Sequence, residues 1–170
     1  MSVTHTVIDS PVGDLILVAE DGDLTGLYFA GQRRRPRGDA LGERVDTGFD
    51  TGFDEVVRQL GEYFAGDRTT FDLPLAPRGD EFDLRVWELL RTIPYGETRS
   101  YGDLARELGD PALAQAVGKA NGRNPLAVVV PCHRVIGADG SLTGYAGGLD
   151  RKLFLLELEE PAEVSAGRLF

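Results

Sequence analysis

The apolar residues of this 170-residue chain change their spacing once, and that change limits the possible fold more than any other feature. Over the first thirty residues they alternate in period two: Val3-Thr4-His5-Thr6-Val7-Ile8, Leu15-Ile16-Leu17-Val18-Ala19 and Leu24-Thr25-Gly26-Leu27-Tyr28-Phe29. Successive side chains of a strand point to opposite faces, so this spacing predicts strands that pack through one face. Pro11-Val12-Gly13 and Asp21-Gly22-Asp23 are turn sequences, which makes the three strands an antiparallel meander. From Phe53 onward the spacing is helical. Phe53, Val56, Val57, Leu60 and Phe64 form one stripe that stops at Gly66. Phe82, Val86, Leu89, Leu90 and Ile93 form another, ended by Pro94-Tyr95-Gly96. Trp87 belongs to the second stripe and reads as core. Strands at one end and helices at the other predict an α+β chain. Its expected parts are an N-terminal antiparallel-sheet lobe (1–79) and a mostly helical C-terminal lobe (80–170), hinged at Pro74, Pro77 and Gly79.

Between the lobes' main elements, Arg33-Arg34-Arg35-Pro36-Arg37-Gly38 and the tandem Thr47-Gly48-Phe49-Asp50, Thr51-Gly52-Phe53-Asp54 read as loop, and 71–75 as a short strand. Ser100 with Asp103 three residues later is a capping box opening a helix over 101–108. Gly109-Asp110-Pro111 then supplies a stop, an N-cap and a helix-opening proline. The next helix, 112–120, carries small residues at Ala112, Ala114, Ala116 and Gly118. Helix, tight turn and helix spell a helix-turn-helix, a unit used both for plain packing and for DNA. A final helix is expected over 150–160.

Charge bears on that choice. The net charge of −10 argues against a nucleic-acid partner, but its distribution is uneven. From Met1 to Asp80 there are 15 acids and 8 bases, a net of −7, whereas from Arg99 to Lys152 there are 5 acids and 7 bases, a net of +2. A DNA-facing surface belongs in the second half, with modest electrostatic affinity. No run approaches the roughly 20 apolar residues that span a bilayer, and Met1 to Ser10 lacks the pattern of a signal peptide. A cytoplasmic protein is expected.

One cysteine in the chain excludes internal disulfides and multi-cysteine metal sites, and two histidines, His5 and His133, make a transition-metal site a poor reading. The apolar run Asn124-Pro125-Leu126-Ala127-Val128-Val129-Val130 reads as a strand leading into Pro131-Cys132-His133-Arg134-Val135-Ile136, followed by glycines at 137, 140, 144, 147 and 148. A lone cytosolic cysteine is ordinarily a small core side chain. Here a proline fixes the backbone before it, a histidine comes directly after it, and the glycines allow a ligand to lie against backbone. An adjacent imidazole can take the thiol proton and hold a nucleophilic thiolate, reaching it by a local turn or through a water. Such a base needs an orienting acid, and Glu157, Glu159 and Glu160 are equal candidates by spacing.

Val130-Pro131-Cys132-His133-Arg134-Val135-Ile136 resembles the active-site signature of the O6-alkylguanine-DNA alkyltransferases. Tyr95-Gly96-Glu97, Ser100-Tyr101, Ala116-Val117-Gly118, Asn124-Pro125, Gly144-Tyr145-Ala146-Gly147-Gly148 and Lys152 keep the family's order, so the likeness runs from about Phe82 to Glu159. The resemblance implies a ribonuclease H-like N-terminal lobe and a C-terminal domain that binds duplex DNA through the minor groove, flips O6-alkylguanine out, and moves the alkyl group irreversibly to its own cysteine. O4-alkylthymine is a further possible substrate. It implies a monomer without cofactor or metal. By position, Cys132 is the acceptor, His133 the base acting through a water, Glu159 its orienter, and Tyr101 the acid for the departing guanine. Val135 and the backbone near Cys132 read the base edge, Tyr145 and Ala146 wall the pocket, and Asn124 braces the turn before the cysteine. Ala114, Gln115 and Gly118 of the recognition helix meet DNA, and Arg134 serves structure. Gln115 stands where the family usually has an arginine, and Leu113 where it has a smaller residue. Two other readings compete: a non-enzymatic lesion-binding protein that signals to excision repair, whose members replace the cysteine this chain keeps, and a cysteine hydrolase, for which adjacent Cys and His are poor geometry.

Overall fold

The structure is a computed structural model, and it describes residues 2–32, 36, 38–46, 52–142 and 144–160. The chain is an α+β protein that packs as two compact units, one of residues 1–78 with 125–129, the other of 79–124 with 130–170. The return of 125–129 to the first unit departs from the expected division at residue 79.

The first unit is built on β1 (Val3–Ile8), β2 (Leu15–Glu20) and β3 (Asp23–Phe29), paired antiparallel as expected. Asp21 (φ 52°) and Gly22 (φ 92°) both take the left-handed backbone of a tight hairpin turn. A two-residue strand, β4 (Glu43–Arg44), adds parallel to β1, giving the order β3-β2-β1-β4. Central β2 buries Leu15, Ile16, Leu17 and Val18 alike, which explains a continuous apolar run where an edge strand would alternate. Helix α1 (Asp54–Phe64) buries Val56, Leu60 and Tyr63, and Gly66 (φ 83°) lies just past its end.

The expected strand over 71–75 is reduced to a single bridge, Leu24 with Leu75. Pro74 and Pro77 have no N–H to extend a ladder. The segment is held instead by Gln59, whose amide nitrogen donates to the Asp72 carbonyl and whose oxygen accepts from the Asp72 N–H, both at 2.9 Å. The arginine run at 33–35 and 37, and most of the tandem repeat (47–51), lie outside the described residues.

In the second unit, α2 (Glu81–Leu90) is capped by Asp80, whose carboxylate accepts from the Asp83 N–H at 2.8 Å. Trp87 is core, as its stripe implied, and its indole N–H donates to the Ala120 carbonyl at 2.8 Å, tying α2 to α4 (Ala114–Gly122). Helix α3 (Tyr101–Glu107) has the full capping box: Asp103 N–H to Ser100 Oγ at 3.0 Å and Ser100 N–H to the Asp103 carboxylate at 2.9 Å. Gly109 (φ 101°) lies at the turn after α3, and Asp110 caps the next segment, whose first turn, Pro111–Leu113, is 3₁₀ in form. The recognition helix therefore begins at Ala114 and runs to Gly122, where 112–120 was expected. Before α3, β5 (Arg99–Ser100) pairs parallel with β6 (Val135–Ile136). The last helix, α5 (Leu149–Leu158), ends one residue before Glu159, its C-cap.

Candidate active site

The chain reaches its cysteine through two three-residue turns, where an extended strand over 124–130 was expected. Val129 N–H donates to the Ala127 carbonyl at 2.8 Å around Val128, whose φ is 70°. A β-branched residue is strained in that conformation, and no local sequence signal marks it. Cys132 N–H then donates to the Val130 carbonyl at 2.8 Å around Pro131 (φ −81°, ψ 63°), the relaxed form of the same turn and one suited to a proline. Cys132–Arg134 form one 3₁₀ turn, and β6 begins at once. Because Val135 of β6 pairs with Arg99, the reactive turn lies beside the start of α3, which Tyr101 opens.

The local turn allowed for by the sequence is therefore present at Cys132–Arg134. Cys132, His133 and Arg134 are all buried, with His133 fully so. Of the three acids left open by spacing, Glu159 takes the imidazole: His133 Nε2 and Glu159 Oε2 are 2.7 Å apart. Glu157 is exposed. Arg134 fixes Glu159 from the other side, donating from Nε to Oε1 at 2.7 Å and from Nη2 to Oε2 at 3.0 Å. Its third arm, Nη1, donates to the Ile93 carbonyl at 2.6 Å, and its guanidinium carbon stands 5.7 Å from the centre of the Tyr95 ring.

The electrostatics come from this burial. Burial raises the Glu159 carboxyl, but hydrogen bonds and charges from His133 and Arg134 outweigh it and hold the group below the usual carboxylate range. Burial lowers His133, with the Glu159 hydrogen bond opposing and the cations Arg134 and Lys152 assisting. A neutral imidazole facing a carboxylate carries its proton on Nε2, which leaves Nδ1 as a lone pair. That Nδ1 is buried and has no hydrogen-bond partner among the described residues.

Burial pushes the Cys132 thiol up, against hydrogen bonds from Asn124 and Tyr145 and the charge of Lys152. The resting thiolate suggested by the neighbouring imidazole is thereby corrected: at neutral pH the group is a thiol, and its proton must leave during reaction.

The remaining expected residues are distributed around this centre. Asn124 donates to the Val130 carbonyl at 2.9 Å, across the paired turns. Val135 is fully buried, and its carbonyl accepts from Lys152 Nζ at 2.6 Å. Tyr145 is half-buried and Ala146 exposed in a loop closed by Gly148 N–H to the Tyr145 carbonyl at 2.9 Å. On α4, Gln115 is exposed while Ala114 and Gly118 are half-buried. A Cβ at Gly118 would lie 3.7 Å from two carbons of the Tyr101 ring, so that ring packs on the helix at this point. Sequence reasoning missed two contributors. Fully buried Lys152 stands out in sequence only as part of a pattern, and Asn121 does not stand out at all. Asn121 Nδ2 donates to the Cys132 carbonyl at 3.3 Å.

Residues 81–161 match the family model described as 6-O-methylguanine DNA methyltransferase, DNA binding domain, and residues 3–77 match the ribonuclease-like domain of the same protein. The chain belongs to this family. A methylated-DNA--protein-cysteine methyltransferase of Mycolicibacterium paratuberculosis is 51% identical over 168 residues, covering 99% of each chain. One from Methanosarcina acetivorans is 47% identical over 156 residues, 91% of this chain and 97% of its own. Among solved structures, Mycobacterium tuberculosis OGT in complex with DNA superposes with a TM-score of 0.84 at 50% identity, covering 95% of this chain and 97% of that one. Cys132, the single cysteine of the sequence, lies within the matched residues 81–161.

Proposed function

We propose that this chain repairs DNA by moving the alkyl group of O6-alkylguanine to Sγ of Cys132 in a single irreversible event. The observation that carries the reading is the His133 imidazole, pinned through Nε2 to Glu159 and presenting, one residue from the only cysteine, an Nδ1 with no partner among the described residues. In the reaction His133 Nδ1 takes the thiol proton through a water, leaving an imidazolium that Glu159 stabilises. The thiolate attacks the alkyl carbon in line, a carbon–sulfur bond forms and the carbon–oxygen bond breaks. Its electron pair leaves with guanine, which Tyr101 protonates. Atoms and charge balance without a cofactor, and a thioether offers no return path.

The second unit carries every residue of this chemistry, which supports treating 80–170, less the 125–129 excursion, as the DNA-binding and alkyl-acceptor domain. Helix α4 enters the minor groove with Ala114 and Gly118 against the backbone and Gln115 at the gap left by the flipped base. Tyr145 and Ala146 bound the pocket, and the backbone at Cys132 and Val135 reads the base edge. No helix among the described residues is long and apolar enough to cross a membrane; action as a cytoplasmic monomer is carried over from the resemblance. Titration of the protein with a duplex carrying O6-methylguanine tests the proposal. One methyl removed per molecule, then silence, is the expected result. Binding without transfer would replace it with lesion signalling, and continued turnover with a hydrolase.

A further inference from the structure

Asn121 is 4% exposed and sits near the end of α4, a buried amide in a helix interior. Its Nδ2 donates to the Cys132 carbonyl, an atom that can only accept. The amide orientation is therefore fixed by chemistry, and Oδ1 points away from that carbonyl. Oδ1 is buried with no hydrogen-bond partner among the described residues. A dry buried acceptor is costly, and a leucine of similar shape would remove the cost. His133 Nδ1 is in the same condition and belongs to the residue bonded to that same carbonyl. Both unsatisfied acceptors therefore belong to side chains tied to the Cys132–His133 peptide, one hydrogen-bonded to its carbonyl and one on its second residue. The turn holding that peptide cannot drift, because α4 is held at Ala120 by Trp87 and the imidazole is held by Glu159.

We propose that Asn121 is a positioning residue that, together with His133 Nδ1, holds the water which carries the Cys132 proton. A water has two protons to give, one to Oδ1 and one to Nδ1, and a lone pair left to accept from the thiol. Three partners are the usual number for a buried water. When the thiol S–H breaks, its proton joins the water oxygen, and the proton facing His133 passes to Nδ1. The water is restored and the sulfur is left with its electron pair. Asn121 keeps the other proton in place, so that the water donates toward the base and not at random. The helix that meets DNA thereby also orients proton removal. This inference rests on the alkyl-transfer reading of the site.

The test compares wild type with Asn121→Leu in single-turnover reactions on duplex O6-methylguanine at varied protein concentration and pH. The expected result is a maximal rate lowered tenfold or more, a half-saturating concentration within twofold of wild type, and an unchanged or higher melting temperature. The pH profile should change as well. The charged groups acting on His133 are Glu159, Arg134 and Lys152, and the groups acting on the thiol are Asn124, Lys152 and Tyr145; none is altered. In wild type the rate should be level across neutral pH, and in the variant it should climb with pH as hydroxide replaces the lost relay. A variant with the wild-type rate, or one slowed with the wild-type profile, overturns the proposal. A high-resolution crystal structure of the wild type is the second measurement and needs no variant: a water bonded to both Asn121 Oδ1 and His133 Nδ1 supports it, and none there overturns it. Wild type that fails to transfer at all would instead sink the function it rests on.

Discussion

Glu159 accepts from three nitrogens at once, one of His133 and two of Arg134, in a place that is 2% exposed. Replacing it by glutamine leaves the Arg134 cation buried without its counter-charge. Breaking a buried pair in this way costs about 3–5 kcal/mol, so Glu159→Gln should melt far below wild type and transfer slowly, and calorimetry with single-turnover kinetics would check both. The same residues set a pH window. His133 has a lowered pKa in the fold, so its unfolded form takes up a proton first as pH falls. Its contribution is complete above about 6.5 and drains below that. Glu159, also lowered, adds stability that is lost as pH falls below the carboxylate range. Cys132 is raised, so its contribution is complete below about 8.5 and is lost as pH climbs through the thiol range. Melting temperature should therefore be highest between about pH 6.5 and 8.5. Because His133 stays unprotonated lower than an ordinary imidazole, transfer should persist at about pH 6; a rate halved near pH 6.5 would contradict the lowered value.

At the scale of elements, α2 depends on a close approach at its entrance. A Cβ on Gly79 would fall 2.4 Å from Cη2 of Trp87, and Trp87 cannot yield because its indole is bonded to Ala120 of α4. Gly79→Ala should cost about 1–3 kcal/mol, the usual range for overpacking, read as a lower denaturant midpoint. On α4, exposed Gln115 occupies the place expected to fill the stack after flipping. Gln115→Arg should speed repair of duplex DNA and leave reaction with a free O6-benzylguanine base unchanged, since a free base needs no extrusion. Equal duplex rates for wild type, Gln115→Arg and Gln115→Ala would remove residue 115 from that role. The meander and the helices are legible in sequence because each repeats its period over a turn or more, and for α3 because Ser100 and Asp103 form a recognisable capping box. The segments 71–75 and 124–130 resemble strands in sequence, and fail to be strands, for a common reason. Both are apolar and proline-bearing, yet their backbone partners come from distant places, Gln59 and Leu24 in one case and Leu27 in the other. Local sequence carries no trace of such partners, nor of the φ at Val128. Glu159 is separable from its neighbours only by the helix end, which spacing places to within a residue or two. Asn121 reads in sequence as an indifferent helix residue, and its importance comes wholly from what lies across from it.

For the molecule as a whole, charge and chemistry are divided. A net charge of −10 with a slightly basic stretch over Arg99 to Lys152 favours DNA contact through few phosphates. The logarithm of affinity should fall with the logarithm of salt less steeply than a slope of about −5, the value that six phosphate contacts would give; a steeper slope would mean the arginine run at 33–37 or another basic patch shares the interface. The central claim is narrower than binding: the buried thiol of Cys132 is itself the acceptor, once per molecule. Intact-mass spectrometry with peptide mapping, after incubation with excess duplex O6-methylguanine, measures that directly. Every wild-type molecule should gain the mass of one CH₂ unit and no more, located on Cys132, while Cys132→Ser stays unmodified and still binds the duplex. A methyl group on any other residue, or methyl loss from the duplex with the protein unchanged, would contradict it.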